Sequence, residues 1–271
     1  MFFYRYLFCK KKSYQIVNTY ENSDSNHKVV DMQTLNAKNC LLTGATGGLG
    51  KELATKLVEY GCNIFLTASN EKKLNELVSL LQKQTENKVE IYHKSADLSK
   101  LGDVKNLIKY VKKKFNSIDI LINCAGIFQV NFLKDTSLDD FEKSFNVNMK
   151  APFLLCKEFS QNMIKKRWGR IVNIGSSSSY NGYKKTSIYC ATKHALLGFS
   201  RSLVDELKKY NVRTFCISPG SIKTNMAKKL VEQNFNTFLD PKEVADAILF
   251  VISYDKEMII DELRLNRMKI E

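Results

Sequence analysis

Proline is scarce in this chain, with three in 271 residues, at 152, 219 and 241. Histidine is as rare, at 27, 93 and 194, and offers no ligand spacing. The seven cysteines, at 9, 40, 62, 124, 156, 190 and 216, are odd in number and include no Cys-x-x-Cys pair. That pattern argues against a disulfide framework and against a zinc cluster, so no metal is expected and a reducing compartment is the default. No apolar run approaches the ~20 residues of a membrane-spanning helix, so a soluble protein with no membrane span is expected. Acids are also in deficit: 28 Asp and Glu stand against 42 Lys and Arg, a formal charge of +14. Lysine and asparagine are abundant throughout, and the lysines fall on the polar faces of expected helices, as at 112–114 and 208–209. The charge therefore reads as a solvated surface rather than a nucleic-acid-binding face.

What the chain does have is enough apolar material for a core, with 44% hydrophobic and 11% aromatic residues. Residues 1–38 form an N-terminal arm distinct from a domain over 39–271. The first 20 hold four basic residues and no acid, and 21–38 are polar without periodicity. An organellar presequence and a plain soluble arm both fit this composition, so the expected location is cytoplasmic or, with a presequence, organellar.

From residue 39 onward, short apolar runs alternate with helix-period segments. Strand-like runs fall at 40–43, 63–67, 89–93, 118–122, 171–174, 212–217 and about 258–265. Helical patterns fall at 49–60, 71–84, 100–115, 138–166, 187–210 and 241–253. This alternation predicts an α/β fold: a single doubly wound domain, with about seven strands in a parallel sheet and helices on both faces. Gly44, Gly47, Gly48, Gly50, Gly126, Gly175 and Gly220 all follow expected strands, along the edge where open α/β sheets bind ligands.

The octet Thr43-Gly44-Ala45-Thr46-Gly47-Gly48-Leu49-Gly50 follows the first strand and opens a helix. Bare backbone there can approach a pyrophosphate, which meets the free N–H groups and positive end of the helix. This placement favours a dinucleotide site over a simple tight turn. The second strand ends in Leu66-Thr67-Ala68-Ser69-Asn70-Glu71-Lys72-Lys73, with no acid at Ala68 to hold a ribose 2′-hydroxyl. Ser69, Asn70 and Lys72 could receive a 2′-phosphate, so NADP(H) is expected ahead of NAD(H). Asp97-Leu98 reads either as an acceptor for the adenine amino group or as a cap for the helix that follows.

Tyr189-Cys190-Ala191-Thr192-Lys193 puts a phenol and an ammonium one turn apart on one helix face. A cation held close favours the phenolate, and such a pair can exchange a proton with a carbonyl oxygen while hydride arrives at its carbon. Three other Tyr-x-x-x-Lys pairs occur, at 6/10, 110/114 and 180/184. They lie in the arm, at the end of a polar helix and in an Asn-Gly turn, so only 189/193 opens a long apolar helix after a strand.

From about residue 39 to residue 264 these features resemble the short-chain dehydrogenase/reductase family, and within it the 3-oxoacyl-(acyl-carrier-protein) reductases. Thr43, Gly44, Gly48 and Gly50 match the family's glycine loop. Asn123-Cys124-Ala125-Gly126 matches its Asn-Asn-Ala-Gly segment with one replacement, and Pro219-Gly220-Ser221-Ile222-Lys223-Thr224 matches the loop beside the nicotinamide carboxamide. Ser176 stands 13 residues before Tyr189 and 28 after Asn148, as in those reductases.

The resemblance implies a Rossmann-type domain and a catalytic set of Asn148, Ser176, Tyr189 and Lys193. Tyr189 is the general acid or base, Lys193 lowers its pKa and binds the nicotinamide ribose, Ser176 bonds the substrate oxygen, and Asn148 holds a water linking Lys193 to solvent. It further implies cofactor contacts at Gly44, Thr46, Gly47, Gly48, Leu49, Gly50, Ser69, Asp97, Leu98, Asn123, Cys124, Ala125, Gly126, Pro219, Gly220, Ile222 and Thr224, besides Tyr189 and Lys193.

Segments 127–135, 180–187 and 226–240 are expected to shape the substrate pocket. They carry Phe128, Tyr180, Tyr183 and Phe235 and no arginine clamp, which favours a neutral or acyl-chain ketone, with an acyl thioester among the candidates. Lys165-Lys166-Arg167 matches a basic patch where an acidic carrier could dock. The closing segment 260–267 departs from the glycine pair that ends the carrier-protein reductases. A homo-oligomer is implied, assembled through helices 138–166 and 187–210. Two other readings stand beside carbonyl reduction: an alcohol or hydroxy-acid dehydrogenase using the same chemistry in reverse, and a non-catalytic dinucleotide- or nucleic-acid-binding protein on this scaffold.

Overall fold

Seven strands pair in parallel throughout, in the order β3-β2-β1-β4-β5-β6-β7. They are β1 (Asn39–Thr43), β2 (Asn63–Thr67), β3 (Ile91–His93), β4 (Ile120–Asn123), β5 (Gly169–Ile174), β6 (Val212–Pro219) and β7 (Glu262–Leu265). The computed structural model describes residues 35–86, 88–230 and 233–268. The expected arm lies outside the described residues except for its last four. Of these, Leu35 is fully buried, and its carbonyl accepts from the Cys62 thiol at 3.2 Å.

The sheet has two apolar faces because successive side chains on a strand point opposite ways. Cys40, Leu42, Ile64, Leu66, Ile120 and Ile122 pack on one side with α1 (Gly48–Glu59), α2 (Glu71–Thr85) and α7 (Pro241–Ser253). Leu41, Phe65 and Leu121 pack on the other with α3 (Leu101–Lys114), α5 (Ala151–Lys166) and α6 (Ser187–Leu207). The expected doubly wound fold is the one observed. Strand order reverses between β1 and its two neighbours β2 and β4, so the crevice for a ligand opens above β1 and β4.

Several boundaries differ from expectation, three of them with a clear physical reason. β3 is shorter than 89–93 because it pairs only with β2 at the sheet edge. β6 runs through Pro219, opposite Leu265, so one proline does lie in a strand, at the terminal position where a missing N–H costs least. The segment expected as one helix over 138–166 is α4 (Leu138–Phe145) and α5 joined by a π turn, Asn146–Lys150.

At the amino-terminal end of the sheet, Arg170 of β5 is fully buried. Its guanidinium donates to Asp255 at 2.7 Å, to the Ile252 carbonyl at 3.1 Å and to the Gly169 carbonyl at 2.9 Å, and stacks 4.3 Å from the Trp168 ring. The Trp168 indole N–H also donates to Asp255, at 2.9 Å. Burial lowers the Arg170 pKa to about 10 against the pull of Asp255. Burial raises the Asp255 carboxyl, but Trp168, Arg170 and Arg213 outweigh it and hold the group below its ordinary value.

Candidate active site

The floor of the crevice is backbone held to backbone. Gly44, with φ +68°, turns the chain after β1 so closely against the β4 loop that a Cβ there would sit 2.7 Å from Ala125 Cα. A Cβ on Gly50 would lie 2.2 Å from the Gly44 carbonyl oxygen, so α1 can start where it does only with glycine at that position. Thr43 was matched to the glycine loop in the sequence without a role. Its hydroxyl oxygen accepts from the Cys124 and Ala125 N–H groups, each at 3.1 Å, and so ties the two loops together.

Gly47 precedes α1 and gives it no side-chain cap, as in α3, α5 and α6, and its first turn holds no acid; α2 and α7 are capped by Asn70 and Asp240. Gly47 and Gly48 are exposed, Thr46 is half-buried, and Leu49 is buried, leaving only its backbone to a ligand. A Cβ on Gly48 would come within 2.7 Å of the Thr224 methyl, so the loop after β6 rests on the glycine loop. That loop is fixed in turn by the Gly220 N–H to the Leu265 carbonyl at 2.8 Å and by an isolated bridge between Ile222 and Leu239.

The chemical groups stand at the carboxyl ends of β4 and β5. Ser176 follows β5 and opens a 3₁₀ turn, Ser177–Ser179, and its hydroxyl stands near enough to the Tyr189 phenol to pull that phenol's pKa down. Tyr189 and Lys193 come from the first turns of α6, with the Lys193 ammonium 5.6 Å from the Tyr189 ring centroid. Phe128 packs edge-on against that ring, 4.8 Å between centroids. Lys193 is buried and donates to the Ile174 carbonyl at 2.7 Å. A Cβ on Gly126 would sit 3.8 Å from the same ammonium and 3.4 Å from Asn148 Oδ1.

One expectation is corrected here. Burial pushes the Tyr189 phenol up to about 12, against the lowering bond from Ser176, and burial pulls Lys193 down to about 8. Burial thus reverses the direction expected for the phenol. The Asn123 side chain turns into the core, donating to Asn173 Oδ1 at 2.8 Å, and Asn173 donates to Ser200 at 2.9 Å, so only the backbone of Asn123 can face a ligand. Asn148, in the π turn, exchanges hydrogen bonds with both the N–H and C=O of Ile127, at 2.9 and 3.0 Å, and donates to the Thr192 hydroxyl at 3.1 Å. These bonds make it a tether between the β4 loop and α6.

Asp97 is half-buried, and its carboxylate accepts from the Ser99 N–H and hydroxyl, which hold its pKa below the ordinary value. Lys100 holds the position just before α3, with no side-chain cap, so Asp97 does not cap that helix. Leu98 is buried and Ser69 exposed. Cys124 lies half-exposed in the β4 loop, and burial of its thiol raises the pKa to about 12, which keeps it neutral beside Lys193. Sequence reasoning missed the Lys229 ammonium, which donates across the mouth of the site to the Phe128 carbonyl at 2.8 Å. The basic residues in segment 226–240 were its only trace.

The uncapped α1, the bare strip from Gly47 past Gly126, and the Lys193 cation beyond it fit a dinucleotide with its pyrophosphate at the helix and its nicotinamide beside Tyr189. The profile of the short chain dehydrogenase family matches residues 38–234. The chain belongs to that family. It is an NAD(P)-dependent oxidoreductase.

It is 33% identical over 228 residues to the 3-oxoacyl-(acyl-carrier-protein) reductase FabG of Buchnera aphidicola from Acyrthosiphon pisum, covering 81% of this chain and 91% of that protein. It is 29% identical to an uncharacterized oxidoreductase of Staphylococcus saprophyticus, covering 86% of this chain and 98% of that one. A metagenomic short-chain oxidoreductase solved in complex with NADP superposes with a TM-score of 0.76 at 25% identity, covering 87% of this chain and 99% of that one. Among the described residues of this short-chain dehydrogenase, no helix is long and apolar enough to cross a membrane.

Proposed function

We propose that this protein is an NADP(H)-dependent reductase that converts a ketone, a 3-oxoacyl thioester among the candidates, to the alcohol. The observation that carries this reading is the meeting of Ser176, Tyr189 and Lys193 beside the bare backbone of Gly126. Gly47, Gly48, Thr224 and Lys193 would hold the cofactor, with Ser69 and Lys72 at its 2′-phosphate. When bound, NADPH supplies the hydride. Ser176 donates to the substrate oxygen, Tyr189 gives that oxygen its phenolic proton as negative charge develops there, and Lys193 holds positive charge close by.

A phenol with a pKa near 12 stays protonated through the neutral range, which is the state an acid needs for reduction. The reverse reaction starts from the phenolate, and the ratio of reduced to oxidised cofactor sets the net direction. Phe128, edge-on to Tyr189, and the exposed Tyr183 would supply apolar surface for an acyl chain. The relatives named as 3-oxoacyl-(acyl-carrier-protein) reductases support the thioester. Asn70 spends its carbonyl oxygen on the Lys73 N–H, leaving its amide donor, Ser69 and Lys72 for a phosphate. An exposed Phe153 on α5, edge-on to Phe199 of α6, supports assembly with a second copy through those helices.

A panel of ketones and 3-oxoacyl thioesters, followed by NADPH absorbance, tests the reading. Turnover of at least one class is expected, with kcat/KM about tenfold or more higher for NADPH than for NADH. Equal or better use of NADH would remove the cofactor preference, and no turnover on the whole panel would remove the carbonyl reading. The pH profile follows from Lys193. Its folded pKa is lowered to about 8, so its positive charge is complete well below that value and lost as pH rises through it. Reductive kcat/KM, which reports the free enzyme, is therefore expected to be flat in the neutral range and to fall on the alkaline side around 8.

A further inference from the structure

The first residue of β7, Glu262, is gripped from two other elements. The Tyr180 hydroxyl donates to its Oε2 at 2.7 Å. Arg201 of α6 donates to both carboxylate oxygens, the Nη2 bond measuring 3.1 Å. Two residues along β7, the Arg264 guanidinium stacks 4.2 Å from the centroid of the Tyr180 ring. The Arg201 bond, with help from Tyr180 and Arg264, holds the Glu262 carboxyl below its ordinary range. Burial, then the bond to Glu262, pushes the Tyr180 phenol up to about 12. Tyr180 is thus a neutral donor and Glu262 a charged acceptor across the neutral range.

Tyr180 ends the short turn that Ser176 begins. Inside that turn the Ser178 N–H donates to the Ser176 hydroxyl at 3.1 Å, and the Ser176 N–H donates to the Ser179 hydroxyl at 3.1 Å. The Ser179 N–H donates to the Ser176 carbonyl at 2.8 Å, and the Tyr180 N–H to the Ser177 carbonyl at 3.2 Å. These four bonds make residues 176–180 a rigid strut, with the reacting hydroxyl at one end and the phenol that meets Glu262 at the other. A strut anchored at its far end holds its near end still, and catalytic groups depend on such support to within fractions of an ångström.

We infer that Glu262 is a positioning residue that, through Tyr180, sets where the Ser176 hydroxyl stands against Tyr189. The inference rests on the roles proposed above for Ser176 and Tyr189. It gives a use to the closing segment 260–267, where the sequence parts from the carrier-protein reductases. Lys193 and Phe128 touch Tyr189 from other directions and take no part in this linkage.

Two variants test it in the full-length enzyme. Glu262→Gln keeps an acceptor for Tyr180 but loses the charge that gathers Arg201. Tyr180→Phe keeps the ring beneath Arg264 but loses the donor. In each, kcat for ketone reduction is expected to fall about tenfold, with KM for NADPH and NADPH binding by fluorescence titration unchanged. A merely structural role would weaken cofactor binding along with turnover.

Placed in a Ser176→Ala background, either change is expected to cost less than about a further twofold, because the group it positions is gone. A full tenfold loss on top of Ser176→Ala would overturn the inference, as would parental kcat in both single variants. Should Glu262→Gln fail to fold, Tyr180→Phe carries the test alone. Parental rates in Ser176→Ala and Tyr189→Phe would instead remove the catalytic reading, and the inference with it.

Discussion

A Tyr189→Phe enzyme is expected to reduce ketones at least about 10³-fold more slowly than the parent while binding NADPH with the same affinity. The change deletes one oxygen and leaves the ring that packs edge-on against Phe128, so the wall of the pocket persists. Lys193 keeps its bond to the Ile174 carbonyl, and Gly126 keeps its place beside the ammonium, so the cofactor contacts proposed for those two residues are untouched. What is lost is the phenol that stands beside Ser176. The loss should appear in kcat far more than in the KM for NADPH, as expected for a group that acts on developing charge. A variant that turned over at the parental rate would show that the proton comes from elsewhere.

The largest effect on stability is expected at the other end of the sheet. Asp255→Ala leaves the buried Arg170 guanidinium with no carboxylate, and because Asp255 is itself partly open to solvent the cost is expected at about 2–3 kcal/mol, below that of a fully buried pair. For a chain of this size that corresponds to a drop in Tm of about 7 °C, measurable by calorimetry. Replacing Arg170 by methionine should cost much less, because it removes the charge together with its desolvation cost. The pH dependence has a definite sign. The folded pKa of Asp255 is depressed, so its contribution is complete above the ordinary carboxylate pKa of about 4 and is lost as pH falls through the lower folded value. The advantage of the parent over Asp255→Ala should therefore be full at neutral pH and shrink as acid protonates the carboxylate, so that the two stability curves converge at low pH.

Much of the architecture was legible because it depends on local period and on punctuation. β2 falls at 63–67 as expected, since Asn63 and Thr67 bracket three apolar residues that serve both faces of the sheet. The pairing of Tyr189 with Lys193 was legible for the same kind of reason: one helical turn, opening directly after a strand and its loop. The π turn was not. Its amino acids are those of an ordinary helix, and what widens the register is the bond set that Asn148 makes to Ile127, 21 residues away.

Orientation and ionisation were hidden as well. That Asn123 faces inward depends on Asn173 and Ser200 waiting to receive it, on two other elements. The direction of the Tyr189 and Lys193 pKa shifts depends on how much protein surrounds them, and spacing along a helix carries no measure of that. Glu262 reaches Tyr180 across 82 positions of chain, beyond any pattern read along the sequence.

Strand β5 carries both poles of the molecule, the Arg170 anchor near its start and Ser176 just past its end. Six residues of extended chain separate them by roughly 20 Å. Changes at such a distance combine almost independently. An evolving lineage, or an engineer, can therefore harden one pole while redrawing the substrate range at the other, with little trade-off between robustness and catalytic novelty.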